Sequence, residues 1–102
     1  MMIAISSTGN KLDSAMDMQF ASCSYFYILK EKEPEFIPNP FHDKEGPTAP
    51  LVVQWLKEQG ITRLITGEMG SIDKHSLKKA HINTVLFDYD KNTIQMILNM
   101  LK

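Results

Sequence analysis

Cys23 is the one thiol in this 102-residue chain, and a thiolate is the soft donor that iron–sulfur and copper–molybdenum species prefer. A lone cysteine cannot hold an iron–sulfur cluster in the usual four-thiolate manner. The chemistry open to it is one bond to a preassembled cluster, which suits a carrier; the competing reading is a small buried hydrophobe. His42, in the loop Pro38-Asn39-Pro40-Phe41-His42, could add an imidazole ligand, against the reading of an exposed histidine without a role. Met16, Met18 and Met69 offer soft thioethers near the same place, although Met16 also reads as core filler. His75 and His81 have no second ligand at i+3 or i+4 and read as helix-surface and helix-end residues. Asp13 and Asp17 read as shaping their loop through Asx turns rather than as ligands.

Gly67-Glu68-Met69-Gly70-Ser71 reads as a turn from a strand into a helix. Glycines there allow a tight bend, and the first helical N–H groups point outward as anion donors. An anionic metal–sulfur cluster or a carboxylate-bearing ligand would suit Gly67, Met69, Gly70 and Ser71; an ordinary turn with a capping serine is the alternative. Catalytic constellations are missing. Met1 to Ser6 contains no acid, whereas two-metal phosphodiester chemistry needs a carboxylate on the first strand. No G-x-S-x-G elbow, Walker A loop or G-x-G-x-x-G fingerprint occurs. A Cys23–His42 nucleophile pair would lack a third, orienting group. The chain therefore reads as a binder rather than an enzyme.

These residues need a scaffold, and hydrophobic patterning supplies one. Met2–Ile5 is an apolar run closed by the turn-rich Ser6-Ser7-Thr8-Gly9-Asn10; Tyr25–Leu29 is aromatic and β-branched; both read as strands. Between them lies a long loop carrying aromatic and apolar residues, a composition that argues for binding rather than disorder. A charged turn, Lys30-Glu31-Lys32-Glu33, leads to a short third strand, Glu35-Phe36-Ile37, whose bracketing Pro34 and Pro38 suit a sheet edge. Thr48 is positioned to cap a helix in which Leu51, Val52, Trp55 and Leu56 form an apolar stripe, stopped by Gly60. Arg63–Thr66 reads as a strand and is followed by a helix capped by Ser71 or Asp73 and ending about Ala80. Thr84–Phe87 is the last strand, and Ile94, Ile97, Leu98 and Leu101 mark a final amphipathic helix. The order is β-β-β-α-β-α-β-α, and pattern alone gives a mixed α/β sandwich with helices on both faces. Ligands of such sheets gather beyond the carboxyl ends of the parallel strands. The long loop, the Gly67–Ser71 turn and the loop after Phe87 should meet there.

Bulk composition narrows the class. The chain is 43% apolar and 23% charged with net charge −1, so it reads as one globular domain over residues 1–102, without a basic footprint for nucleic acid. No apolar run approaches the roughly 20 residues of a membrane span, and no signal-peptide pattern opens the sequence. One cysteine and no disulfide fit a cytoplasmic protein.

Asp13-Ser14-Ala15-Met16-Asp17-Met18-Gln19-Phe20-Ala21-Ser22-Cys23-Ser24-Tyr25-Phe26 resembles the D-x-x-V-D-x-x-F-G-R-x-x-Y-F signature of the dinitrogenase iron–molybdenum cofactor biosynthesis family, which includes NifX-like, NafY-like and NifB C-terminal domains. Pro38-Asn39-Pro40-Phe41-His42 resembles that family's E-N-P-x-x-H, with Glu replaced by Pro38 and His42 one position short of the histidine, and Gly67–Asp73 resembles its G-x-x-G-P-x-A, with Gly67 and Gly70 matching. Ala21-Ser22 stands where the family has Gly-Arg, which removes a natural partner for an anionic cluster. The resemblance implies a ribonuclease H-like α/β fold, a five-stranded mixed sheet in order 3-2-1-4-5. It further implies a small non-catalytic protein that binds or carries an iron–molybdenum or other metal–sulfur cluster, with cluster-assembly or acceptor proteins as partners. A chain isolated without a cluster is equally consistent with the sequence. The alternative function is an interaction or regulatory domain that keeps the fold without cluster binding. Three expectations follow: for the architecture, an at least partly buried Trp55; for oligomerisation, a monomer with a proline-guarded edge; and, to separate the two functional readings, a Cys23 reachable from solvent at the same end of the sheet as Gly67–Ser71 if the domain carries a cluster. Burial of Cys23 among strand side chains would overturn this carrier reading and leave the non-metal interaction domain standing.

Overall fold

The structure, a computed structural model, describes residues 2–30 and 33–101; Met1, Lys102 and the middle of the charged turn, Glu31 and Lys32, lie outside the described residues. Five strands and three helices follow in the order β1 Ile3–Ser7, β2 Tyr25–Leu29, β3 Glu35–Pro38, α1 Ala49–Glu58, β4 Arg63–Thr66, α2 Ser71–Lys79, β5 Asn83–Leu86 and α3 Ile94–Met100. They form one sheet in the order β3-β2-β1-β4-β5. β1, β4 and β5 run parallel, while β2 and β3 add antiparallel strands, as the expected mixed α/β architecture requires. Among the described residues, no helix is long and apolar enough to cross a membrane.

Alternation along the strands splits the core between two faces. Ala4, Phe26, Ile28 and Leu64 pack with Val52, Val53 and Leu56 of α1 and Leu77 of α2. Ile5, Tyr27 and Ile65 point the other way, toward Ile94 and Ile97 of α3. Trp55 is half-buried, its ring centroid 5.6 Å from that of Phe26. The α1 stripe is rotated from the expected one: Val53 is buried and Leu51 is 38% exposed. Both residues are apolar, so the sequence pattern left that rotation open.

Helix ends bring further corrections. Thr48 is the α1 N-cap, but its side chain makes no capping bond; Oγ1 donates instead to the Ala21 carbonyl at 3.2 Å. Gly60 stops that helix in the left-handed region, with φ +82°. The α2 N-cap is Gly70 rather than Ser71 or Asp73, and it too lacks a side-chain cap. His81 follows the α2 C-cap with φ +61°, a left-handed terminator without glycine. Pro38 closes β3 as expected for an edge strand.

Candidate functional site

The carboxyl ends of β1, β4 and β5 all lie on one end of the sheet. Strand register brings two more segments there, because Ser7 pairs with Tyr25 and Tyr25 pairs with Pro38. Residues 8–24, 39–48, 67–70 and 87–93 therefore converge on this end, and hydrogen bonds stitch them together. Met16 N–H donates to the Asn92 carbonyl at 2.8 Å, and Ile94 N–H to the Ser14 carbonyl at 3.0 Å. Glu68 N–H donates to the Met18 carbonyl at 2.9 Å, and the Gln19 amide donates to the Glu68 carboxylate. Beneath them, the buried Ser6 Oγ donates to the Asp17 carbonyl at 2.6 Å, with the buried Thr66 Oγ1 2.7 Å from Ser6 Oγ. The convergence predicted from sequence is present, and much of it is internal bracing.

Residues 8–24 act as a strap across the end of the sheet. Met16 is buried with the α3-side core, whereas Phe20 and Cys23 are buried on the α1–α2 side. The strap's apolar residues thus fasten both cores, which accounts for their presence in a loop without invoking a ligand.

Cys23 corrects the expectation of a solvent-reachable thiol. It is 0% exposed, and its thiol donates to the Phe20 carbonyl at 3.3 Å. Burial, reinforced by the negative charge of Asp17, pushes the thiol from an ordinary 9.0 up to about 12. A thiol that holds its proton so firmly supplies no thiolate at neutral pH. The lone-hydrophobe reading of Cys23 describes its environment, and the role of soft anchor does not fit it.

Asn39 was missed as an organising residue. It is buried, and its Nδ2 donates to the Cys23 carbonyl at 2.9 Å and the Ala21 carbonyl at 3.2 Å, while its Oδ1 accepts from Phe41 N–H at 3.0 Å. The signal available in sequence was an asparagine between two prolines in a loop, a residue able to satisfy backbone groups from both sides. His42 lies close by: its Nδ1 is 3.0 Å from the Ser22 carbonyl, and its Nε2 is 3.6 Å from Asp43. One ring nitrogen is thus within hydrogen-bond reach of the Ser22 carbonyl, with the exposed Asp43 beside the other. Among the described residues, no three His, Cys, Asp or Glu side chains gather as they would to hold a metal ion. The donor set does not fit direct ligation by protein side chains.

The 67–71 turn divides its glycines between two tasks. A Cβ on Gly67 would stand 2.6 Å from Met18 Cα and closer still to Met18 Sδ, so this glycine exists to let the strap pass. Gly70 is extended, with φ −79° and ψ 168°, and nothing lies within 4 Å of where its Cβ would be. That backbone is one any residue adopts, so Gly70 is not needed for the bend. Open space above it leaves the start of α2 approachable. The N–H groups of Ser71, Ile72 and Asp73 precede the first intrahelical bond, from Lys74 N–H to the Gly70 carbonyl at 3.1 Å. Ile72 is 80% exposed at the same spot, and Met69 is half-buried beside it. Asp73 places a negative charge in the same helical turn.

The profile of the family described as "Dinitrogenase iron-molybdenum cofactor" matches residues 1–102. The fold is similar to that of the apo form of the orange protein from Desulfovibrio gigas, with a TM-score of 0.86 and 21% identity over 98% of this chain and 85% of that one. It is also similar to a Thermotoga protein provisionally described as a NifB protein, with a TM-score of 0.78 and 29% identity over 98% of this chain and 85% of that one. No curated protein matches the sequence.

Proposed function

The chain belongs to the dinitrogenase iron–molybdenum cofactor family over its whole length, and on that premise we propose that it is a non-catalytic binder or carrier of a compact anionic metal–sulfur cluster, held without a bond from Cys23. The observation that carries this reading is the start of α2. An uncapped, glycine-headed helix terminus with open space above Gly70 lies beyond the carboxyl ends of the parallel strands. Its free N–H groups and the helix dipole favour negative charge, and Met69 and Ile72 supply the soft, apolar surroundings that the outer sulfides of a cluster tolerate. The cluster is cargo: noncovalent holding suits transfer to an acceptor protein better than a thiolate bond would.

Two observations favour the interaction-domain reading instead. Ser22 stands where the family carries arginine, and Asp73 opposes an anion at the same helix terminus. Anaerobic purification from cells supplied with molybdate and iron, followed by metal and sulfide analysis, separates the two. Cluster binding predicts that metal and sulfide co-purify with the wild type and equally with Cys23→Ala, and less with Gly70→Val, which fills the open space. Absence of metal from the wild type supports the interaction domain. Loss confined to a folded Cys23→Ala variant would mean that the thiol binds after all, against its burial.

A further inference from the structure

The two edges of the sheet are protected unequally. Both edge strands are four residues long, but β3 carries Glu35 and closes on Pro38, whereas β5 reads Asn83-Thr84-Val85-Leu86, with no proline and no charge. Edge strands of monomeric proteins usually carry such guards. Asn83 and Phe87 donate their N–H groups to the Thr62 and Thr66 carbonyls on the β4 side. By the two-residue alternation of a strand, the N–H and C=O groups of Thr84 and Leu86 point away from the sheet, toward the open edge. A groove of about 730 Å³ runs along this edge, lined by Thr84 and Leu86 below and by Lys74, Lys78 and His81 of the α2 side above, with no carboxylate in its walls.

We propose that this edge docks an extended, acidic segment of a partner protein as a sixth strand, with acidic side chains at alternate positions. The spacings match. Lys74 and Lys78 are one helical turn apart, a rise of about 6 Å, and alternate side chains of an extended peptide are about 6.6–6.8 Å apart. A segment paired with Thr84 and Leu86 would therefore present one carboxylate to each lysine, and backbone pairing would set its direction and register. A second copy of this chain is a poorer occupant. Antiparallel pairing of two β5 edges about a two-fold axis normal to the sheet would set the basic faces of both α2 helices against each other. Nucleic acid is disfavoured by the net charge of −1.

The test is a titration of the full-length, isotope-labelled protein with a short peptide of alternating Glu and Thr, read from backbone amide shifts. Controls are a peptide of the same composition with its Glu residues in one block, an alternating Lys–Thr peptide, and inorganic phosphate. The proposal predicts shifts at Thr84 and Leu86 with the alternating acidic peptide, and binding weakened about tenfold in the Lys74→Glu/Lys78→Glu double variant. Thr84→Pro, which removes an outward N–H and leaves the ladder to β4 in place, should abolish pairing. The double variant decides the matter if the proline variant does not fold. Equal binding of the basic or blocked peptide overturns the proposal. So does phosphate reproducing the same shifts, or a dimer by light scattering that Thr84→Pro dissolves.

Discussion

Gly67→Ala should be among the most damaging single-methyl additions in the chain. The new Cβ would stand 2.6 Å from Met18 Cα, a backbone atom that no rotamer change can move away. Relief requires the strap to lift from the 67–70 turn, and that movement stretches the 2.9 Å bond from Glu68 N–H to the Met18 carbonyl and separates Gln19 from Glu68. Overpacking of this kind costs about 1–3 kcal/mol, and loss of one backbone hydrogen bond adds about 1 kcal/mol. The expected destabilisation is therefore about 2–4 kcal/mol, a large share of the roughly 5–15 kcal/mol typical of a domain. Urea unfolding followed by Trp55 fluorescence reads it as a fall in midpoint of about 1–2 M. Gly70→Ser is the matched control. Its backbone is already that of an N-cap and its surroundings are open, so a serine hydroxyl should cap α2 and stabilise the fold by about a few tenths of a kcal/mol. An unchanged midpoint in Gly67→Ala, or an equal loss in Gly70→Ser, would refute the division of labour between the two glycines.

Four further outcomes follow from the same end of the sheet. Cys23 should resist a thiol reagent such as dithiobis-nitrobenzoate in the native protein and react fully once unfolded; rapid native labelling would contradict its burial. Because the folded thiol is raised to about 12 from 9.0, the unfolded chain loses its proton first, so the Cys23 contribution to stability is complete below about pH 9 and falls as pH rises toward 12. Cys23→Ala should lack that alkaline component, which urea midpoints of both proteins across this range would measure. Asn39→Ala, by orphaning the Cys23 carbonyl and Phe41 N–H while the Ala21 carbonyl keeps Thr48 Oγ1, should cost about 2–4 kcal/mol and speed Cys23 labelling; a variant as slow to label as the parent would deny Asn39 its role in closing the strap. Ser6→Ala and Thr66→Val should be non-additive in a double-mutant cycle by at least about 0.5 kcal/mol, and strict additivity would show that the 2.7 Å contact between their hydroxyls carries no energy.

Element order was legible because each strand and helix carried its own local pattern. Gly60 marked the end of α1, Pro38 marked the β3 edge, and Ile94, Ile97 and Leu98 marked α3. Sheet order followed from the family resemblance, since strand pairing is a long-range property that local periodicity does not encode. The site was less legible for the same reason. Cys23 lies in a segment that reads as loop, and its burial depends on Asn39 returning from 16 residues downstream to hold its carbonyl. Phe20 and Cys23, three residues apart and buried on one side, were the local hint that the strap faces inward. The difference between the two glycines of the 67–71 turn was hidden because a Cβ clash at Gly67 depends on Met18, a residue 49 positions away. The open edge of β5 was invisible until its neighbours were known.

The central claim is that an anionic metal–sulfur species is held at the start of α2 and not by Cys23. Titration of the labelled protein with tetrathiomolybdate under anaerobic conditions, read from backbone amide shifts, tests it most directly. Saturable shifts at Gly70, Ser71 and Ile72, unchanged in Cys23→Ala and diminished in Gly70→Val, are the predicted result. Shifts confined to Lys74, Lys78 and Thr84, or none at any concentration at which the protein stays folded, would contradict it.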